Sequence, residues 1–368
     1  MTKVPEQFVD IFAGQDLHAI ESEVAIIDGA PRPSHKYGEA PIVIAGPFTR
    51  AAREIALQKD LRIHTQRFID LAEKSRGWQP WNLPSRSEVV ELGDKLSDDT
   101  VKVINAFLYT ELRIKDYVQL GLKVINDGMS RLAIGFRWAG DEIKHPQTLA
   151  DILVLSGKMS EAERVKTERE ADADLWDPKD HNGLDDEYGY GYIAYGIAQE
   201  RLTAFFYRQL RKMVRADNSL GDKRTEAEIK RGYELGASEH VRIIGGDETA
   251  HQMAYIEQAR IIARYFPERM YESLVAVQEG FKLPKADKLP NRRRVLFKLM
   301  PDEDSQGIYL RTFDYISNSL GLENKEALAQ AAQNSLVLKD MLEPGAFQLN
   351  PDGTFKPLGS LAEIALTL

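Results

Sequence analysis

Two copies of one short pattern, Glu-x-x-His, carry the clearest chemical signal in this sequence. They are Glu142-Ile-Lys-His145 and Glu248-Thr-Ala-His251. Residues three apart lie on one face of a helix, so each copy aims a carboxylate and an imidazole in the same direction. Two such pairs, with one glutamate from each of two further helices, form the ligand set of a carboxylate-bridged di-iron site. A single pair would be typical of a surface ion pair, whereas two pairs predict a metal site.

Two further glutamates complete the predicted ligand set. Glu111 and Glu200 each interrupt a stripe of apolar residues at helical spacing, and ionised carboxylates are rarely left in a core unless paired or bound to metal. Either glutamate alone is as typical of a helix surface, but the six residues together predict the site. Carboxylates and imidazoles suit iron better than a metal that prefers sulfur. The predicted ligands are Glu111, Glu142, His145, Glu200, Glu248 and His251.

The elements that must position these residues are helices. Apolar residues at helical spacing dominate the sequence, and strand patterns are scarce. Helices are predicted over about 49–74, 98–126, 130–156, 191–215, 226–266 and 305–342. Between 163 and 188 the acidic, turn-rich sequence predicts a loop. Pro146 lacks an amide N–H and predicts a kink or bulge beside the site.

The predicted fold is all-α, with a four-helix bundle core that carries the di-iron site and is extended by additional helices. Residues 1–48 are interpreted as an N-terminal extension and 49–284 as the bundle. Residues 285–368 are predicted to be C-terminal helices and a tail packed on the same domain.

Composition excludes several classes of function. The chain has 368 residues, a net charge of −9 and no cysteine. Without cysteine there can be no disulfide, thiolate metal site, iron–sulfur cluster or cysteine nucleophile. The negative charge argues against a nucleic-acid partner. No apolar run is long enough to span a bilayer and no signal peptide is recognisable, so we expect a cytoplasmic protein without a membrane span.

Four segments match the motifs of one known family. The segments are Phe136 to His145 (FRWAGDEIKH), Gln199 to Thr203 (QERLT), Asp247 to Tyr255 (DETAHQMAY), and the loop that begins at Trp78 (WQPWNLP). They resemble the ligand helices and the WQPxxFLP loop of the soluble acyl-acyl-carrier-protein (acyl-ACP) desaturases, which belong to the ferritin-like di-iron carboxylate superfamily. The resemblance extends in order from about residue 78 to 284.

The resemblance implies a desaturase with two carboxylate-bridged iron ions per subunit. Such an enzyme takes electrons from ferredoxin, activates O₂ and removes two hydrogens from a fatty acyl chain carried on acyl carrier protein. A homodimer is also implied. Thr203 would help to deliver a proton beside the oxygen-binding face, although its hydroxyl could instead bond its own helix. Asp247 would accept a hydrogen bond from a ligand imidazole, that of His145. Trp78 would begin a Trp–Asp–His electron route, or would simply pack in its loop.

The expected carrier protein is acidic, so its binding surface should be basic. The expected patch is Arg208, Arg211, Lys212 and Arg215, on the helix of Glu200.

Other outcomes use a similar site. Hydroxylation of the acyl chain is one. A ferritin-like iron-storage protein and a radical-generating subunit like that of ribonucleotide reductase are two more. The chain length and matched motifs argue against the storage protein, and no tyrosine at a diagnostic spacing supports the radical subunit.

Overall fold

A computed structural model describes residues 14–31, 43–44, 48–74, 86–92, 95–125, 127–174, 189–281, 295, 299, 305–321, 348–349 and 355–356. Within these residues the architecture is helical, apart from a short antiparallel pairing of β1 (Gln348–Leu349) with β2 (Phe355–Lys356). The prediction of an all-α protein is therefore confirmed. No described helix is both long enough and apolar enough to cross a membrane.

The helices are numbered in chain order. They are α1 (Leu17–Gly29), α2 (Arg50–Lys74), α3 (Arg86–Leu92), α4 (Asp98–Glu111), α5 (Ile114–Val124), α6 (Gly128–Leu132), α7 (Ala139–Glu142), α8 (Lys144–Leu155), α9 (Glu161–Ala173), α10 (Tyr190–Asp217), α11 (Glu226–Arg231), α12 (Ala237–Tyr265), α13 (Pro267–Gly280) and α14 (Ser305–Ser319). A π-helical segment, Ala133–Trp138, joins α6 to α7.

Four helices, α4, α8, α10 and α12, surround the centre of the molecule. The longest two, α10 and α12, contact each other more extensively than any other pair of described helices, and α4 packs against both α8 and α10. Each helix buries an apolar stripe, represented by Leu108 of α4, Leu149 of α8, Ile197 of α10 and Ile256 of α12. Helix α2 covers α12 from outside, where the Tyr265 hydroxyl donates to Asp60 over 2.6 Å. The stripes that predicted the helices therefore also form the core.

The predicted helix over 98–126 is wrong as a single element. It is divided into α4 and α5 at Leu112 and Arg113, so Glu111 is the last residue of α4. The fully buried guanidinium of Arg113 donates to the carbonyl oxygens of Ala171 and Asp174 at the end of α9. At this turn the Arg113 side chain satisfies carbonyl oxygens that the end of α9 leaves without an intrahelical partner.

The predicted helix over 130–156 is irregular beside the site, as Pro146 indicated. It contains the π-helical segment and a break at Ile143, three residues before Pro146. Proline cannot donate to the carbonyl four residues earlier, which here belongs to Glu142. The break thus falls between the two residues of the first Glu-x-x-His pair.

Two further boundaries differ from the prediction. The loop expected from 163 onward is helical as far as Ala173, because Ser160 and Glu163 form a reciprocal capping box at the start of α9. The helix expected over 226–266 is divided into α11 and α12. Gly232 and Gly236 lie between them at φ 84° and 52°, a region that favours glycine. Residues 175–188 and 322–342 of these predictions lie outside the described part of the chain.

Candidate metal centre

The structure brings all six predicted ligands together. Their donor atoms form two groups, each within 4.8 Å, and Glu142 and Glu248 belong to both. The first group adds Glu111 and His145, and the second adds Glu200 and His251. Five of the six residues are buried, while the Glu111 side chain is 10% exposed. Such a cluster could hold metal ions.

Both imidazoles turn the same nitrogen toward the carboxylates. His145 Nδ1 lies 3.4 Å from Glu142 Oε2 and 3.5 Å from Glu248 Oε1. His251 Nδ1 lies 2.7 Å from Glu142 Oε1 and 3.5 Å from Glu200 Oε2. The centroids of the two rings are 6.2 Å apart. Nδ1 is therefore the nitrogen that each histidine offers to a metal.

The opposite nitrogen of each imidazole faces an aspartate. The structure places Asp247 Oδ2 3.5 Å from His145 Nε2, the contact expected from the sequence. Asp141 Oδ2 lies 3.7 Å from His251 Nε2, a contact that was not predicted. An aspartate directly precedes the glutamate of each motif, so the repeated unit is Asp-Glu-x-x-His. That repeat was the signal for Asp141.

Two aromatic side chains donate hydrogen bonds to Glu111 and Glu200, the two glutamates outside the Glu-x-x-His pairs. The Tyr207 hydroxyl donates to Glu111 Oε1 over 2.5 Å, and Trp138 Nε1 donates to Glu200 Oε1 over 3.2 Å. In each glutamate the other oxygen, Oε2, is the one nearer to an imidazole. These contacts of Tyr207 and Trp138 were not predicted from the sequence. They hold each carboxylate with one oxygen directed into the cluster.

Burial and the neighbouring charges shift the pKa values of the residues in the cluster. Burial lowers the pKa of both imidazoles, but the surrounding carboxylates outweigh it and raise the pKa of His145 and His251 well above 6.5. Burial favours the neutral form of Glu142, yet the two histidines bring its pKa to about 2. Burial and the charges of Glu200 and Glu142 raise the pKa of Glu248 well above 4.5. Protons therefore compensate the negative charge where metal cations could replace them.

The donor set fits a pair of divalent cations. Glu142 Oε1 and Glu200 Oε2 are buried, and no residue in the described ranges donates a well-aligned hydrogen bond to them, although His251 Nδ1 lies 2.7 Å and 3.5 Å away. Burying a carboxylate oxygen without such a bond is costly unless a cation compensates. Oxygen and imidazole nitrogen ligands also match the preferences of iron.

Thr203 and Trp78 are the other two predicted functional residues. The Thr203 hydroxyl donates to the backbone oxygens of Gln199 at 3.0 Å and Glu200 at 3.1 Å, which is the alternative noted from the sequence. Its part in proton delivery stays a prediction. Trp78 lies outside the described residues, and its electron-transfer role also stays a prediction.

The expected basic patch on α10 is only half exposed. Arg215 is fully buried, where it pairs with Glu228 at 2.9 Å and Glu234 at 3.3 Å. Arg211 donates to Glu234 over 2.8 Å. Only Arg208 and Lys212 are exposed. Arg215 is therefore not part of an exposed patch, and Arg211 pairs at the junction between α10 and α11. Docking of a carrier protein at Arg208 and Lys212 stays a prediction.

No protein-family model and no curated protein sequence matches this chain.

Proposed function

We propose that this protein is a ferritin-like di-iron oxidoreductase that uses O₂ to desaturate a fatty acyl chain. The chain is carried on acyl carrier protein, and ferredoxin supplies the electrons. One observation carries the proposal: two donor groups, each with one imidazole, share Glu142 and Glu248. Shared carboxylates are what two ions bound side by side require, and the motifs around the ligands resemble those of the desaturases.

The charge and donor type favour two iron(II) ions. Four carboxylates balance four positive charges, and neutral imidazoles complete the set without a sulfur ligand. When bound, the iron supplies the redox chemistry with O₂. Glu111 with His145 would hold one ion and Glu200 with His251 the other, and Glu142 and Glu248, which belong to both donor groups, would contribute to both sites.

The surrounding residues orient these ligands. Asp247 and Asp141 face Nε2 of the two histidines and favour a proton on that nitrogen, so the proton that each imidazole gives up when metal binds is the one on Nδ1. Tyr207 and Trp138 fix the outer oxygens of Glu111 and Glu200. Because all four contacts are made by other parts of the bundle, the ligands need little rearrangement when metal binds.

An acyl chain requires an apolar site beside the metal. Phe107 supplies part of such a surface, since its ring lies 4.9 Å from that of Tyr207 and 6.4 Å from that of Phe206. Phe107, Ile114 and Phe205 are all partly buried apolar residues packed on the core. This apolar face next to Glu111 supports a hydrocarbon substrate in preference to a polar one.

The test is the mass of the acyl group after reaction. Iron-loaded protein is incubated with stearoyl-acyl carrier protein, ferredoxin, ferredoxin reductase, NADPH and air. Loss of two hydrogens supports the proposal, whereas gain of one oxygen indicates a hydroxylase. An unchanged acyl chain after reaction with protein that holds two irons would contradict the proposal.

A matched pair of variants ties the reaction to the centre. Glu248→Gln removes a shared carboxylate and should lose both iron and turnover. Glu257→Gln makes the same change on the same helix at a residue that pairs with Arg260, and it should keep both. Iron content measured by mass spectrometry distinguishes a lost site from a wrong substrate.

A further inference from the structure

Exposed apolar side chains lie on the outer side of the helical stretch that carries the first Glu-x-x-His pair. This apolar face consists of Leu122, Leu132, Phe136 and Ile143. Phe136, in the π-helical segment, is 80% exposed. Leu132, Phe136 and Ile143 follow one another at intervals of four and seven residues, which brings them to one side of the stretch. Leu122 of α5 lies beside them, because a Cβ atom on Gly135 would be 3.3 Å from Leu122 Cδ2. Apolar side chains grouped on a surface in this way mark a binding site.

The charges around the apolar face are positive. Each of its four residues has a cation next to it in sequence: Lys123, Arg131, Arg137 and Lys144. The carboxylates of residues 114–150 are all buried: Asp116, Asp127, Asp141 and Glu142. The charge that reaches the surface of this stretch is therefore positive, on a chain whose net charge is −9. An apolar centre with a charged rim is the usual arrangement of a protein interface, and the sign favours an acidic partner.

Half of this positive charge is not neutralised within the described part of the chain. Lys123 is exposed, and neither Lys123 nor Arg131 forms an ion pair with a described residue. Arg137 and Lys144 share one carboxylate, that of Asp141, at 3.0 Å and 2.9 Å. Two cations on one carboxylate keep one positive charge, so this pair also contributes to the rim.

Two contacts connect the rim of the apolar face to the metal centre. Arg137 is half-buried and donates to Asp141 Oδ1, and Asp141 Oδ2 lies 3.7 Å from His251 Nε2. Asp141 is therefore the one residue between the Arg137 guanidinium and a candidate ligand along this path. The next residue, Trp138, is buried and donates to Glu200 over 3.2 Å. Electron transfer weakens steeply with distance, so a redox cofactor held outside this face would have a short route to the centre.

We propose that the apolar face docks the electron donor, a small acidic electron-carrier protein of the ferredoxin type. The inference rests on the proposed function, which requires such a donor, and it adds where the donor binds. Two carriers dock in turn, and each loses one electron. Together they reduce two iron(III) ions to iron(II), and no covalent bond forms or breaks. The electron enters through the contacts of Arg137, Asp141 and His251.

The other acidic partner, acyl carrier protein, has a different surface. The apolar residues proposed for the acyl chain lie at the opposite half of the centre, where Phe107 packs against Tyr207 and Tyr207 bonds to Glu111. The exposed cation Arg208 follows Tyr207 in sequence and belongs to the predicted carrier surface. The apolar face instead adjoins the half that contains Glu200 and His251.

A second copy of this chain fits the apolar face less well than an acidic protein does. A two-fold symmetric dimer brings the same surface of both subunits together. Contact through the apolar face would then oppose two positive rims, and like charges placed opposite each other in an interface are costly.

The first experiment measures binding by isothermal titration calorimetry, with oxidised [2Fe–2S] ferredoxin as the probe and the iron-loaded protein at low ionic strength. The wild type should bind one ferredoxin per chain, and added salt should weaken binding. The double variant Phe136→Ser with Lys123→Glu should bind about tenfold more weakly, because it removes an exposed aromatic side chain and reverses a rim charge. Circular dichroism confirms that it is folded.

A matched control makes the same kind of change elsewhere. Ile229 of α11 is 64% exposed, and Lys230 beside it is also exposed. Ile229→Ser with Lys230→Glu should keep wild-type affinity for ferredoxin.

The second experiment follows reduction of the oxidised iron centre by stopped-flow spectroscopy without any acyl substrate. At one subsaturating concentration, reduced ferredoxin should reduce the Phe136→Ser, Lys123→Glu variant about tenfold more slowly than the wild type. Dithionite needs no docking surface and should reduce both at the same rate. Because no acyl chain is present, the result does not depend on whether the protein desaturates the substrate chosen for the mass assay.

The outcomes separate this inference from the proposed function. No binding of ferredoxin to the wild type, or equal binding to the wild type and the double variant, would overturn the docking surface. So would a double variant that loses acyl carrier protein but keeps ferredoxin, or a wild-type dimer that the double variant dissociates in analytical ultracentrifugation. Weakened ferredoxin binding in the double variant alone supports the docking surface, even if the acyl chain in the mass assay is unchanged.

Discussion

Single residues explain how the two Asp-Glu-x-x-His motifs become one centre. Each aspartate faces the histidine of the other motif: Asp141 faces His251 and Asp247 faces His145. Arg137 donates to Asp141 Oδ1 over 3.0 Å and Lys144 over 2.9 Å, which directs Oδ2 toward His251. The exchange ties α7 and α8 to α12 through polar contacts that surround the metal ligands.

Removing the charge of Asp141 should weaken metal binding at one half of the centre. Asp141→Asn keeps the shape of the side chain but no longer favours the proton on Nε2 of His251. Loss of such a contact typically lowers metal affinity about 10- to 100-fold. Competition with a chelator measures the affinity of each of the two ions.

Two comparisons make this prediction specific. Asp247→Asn should lower the affinity for the other ion by a similar factor, because Asp247 faces His145. Asp151→Asn on α8 changes a carboxylate that pairs with Arg164 at 3.1 Å, outside the centre, and should leave both affinities unchanged. A general loss of affinity in all three variants would contradict the exchanged arrangement.

Metal binding should release protons from the centre. The carboxylates around His145 and His251 raise the pKa of both imidazoles well above 6.5, which favours their protonated forms in the metal-free protein. A metal binds only the neutral imidazole, so affinity should fall as the pH is lowered. A pH indicator in weak buffer measures the protons released when zinc or iron(II) is added. Release that is unchanged in His251→Ala would contradict this origin.

At the scale of helices, local sequence patterns predicted the candidate ligands better than they predicted where each helix begins and ends. The spacing of Glu-x-x-His is a property of one helical turn, so it could be read without knowing the fold. The helix break after Glu111 could not be predicted in this way, because it involves a contact between Arg113 and the carbonyl oxygen of Ala171, 58 residues along the chain. The capping box of Ser160 and Glu163 was local and could have been recognised.

The close approach of α10 and α12 depends on a glycine. A Cβ atom on Gly196 would lie 2.9 Å from the ring of Tyr255, which is buried. Gly196→Ala should therefore destabilise the protein by about 1–3 kcal/mol through overpacking. Denaturant unfolding monitored by circular dichroism measures the change.

A second glycine provides the control for Gly196→Ala. A Cβ atom on Gly246 of α12 would have no neighbour within 4 Å. Gly246→Ala should therefore be neutral or stabilise the helix by up to about 1 kcal/mol. If both substitutions had the same effect, helix propensity rather than packing would explain Gly196.

The junction of α10 and α11 should make stability depend on acid pH. Burial of Glu228 opposes its charge, but Arg215 and the hydrogen bonds at Thr225 and Leu235 outweigh burial and hold its pKa at about 2, below 4.5. This pKa shift stabilises the fold above pH 4.5, by about 3 kcal/mol, and the stabilisation is lost as the pH falls toward 2.

Unfolding measured between pH 7 and pH 2 tests this dependence. Glu228→Gln should lower the free energy of unfolding at pH 7 by a similar amount and show a shallower loss in acid. Glu226→Gln changes an exposed residue of the same helix and should follow the wild type. If the free energy of unfolding fell with pH in parallel for Glu228→Gln and the wild type, the Arg215–Glu228 pair would not be the cause of the acid dependence.

At the scale of the whole molecule, the centre joins parts of the chain that are far apart in sequence. Its candidate ligands extend from Glu111 to His251 and lie on α4, α7, α8, α10 and α12. The helices bury continuous apolar stripes of their own, so the bundle should fold without metal. Metal ions bound between the helices would then stabilise an assembled core and would not be needed to create it.

Metal should therefore raise the stability of the entire bundle by linkage. A ligand that binds only the folded state stabilises it by about 4 kcal/mol when its free concentration is 1,000 times Kd. Thermal unfolding of metal-free protein, repeated with anaerobic iron(II), should show one cooperative transition that moves to higher temperature. Glu248→Gln should abolish the shift, because the shared carboxylate contributes to both donor groups, whereas Glu257→Gln should retain it. A shift of equal size in Glu248→Gln would mean that iron binds elsewhere, and loss of helical structure without metal would mean that the apolar core does not hold the bundle together.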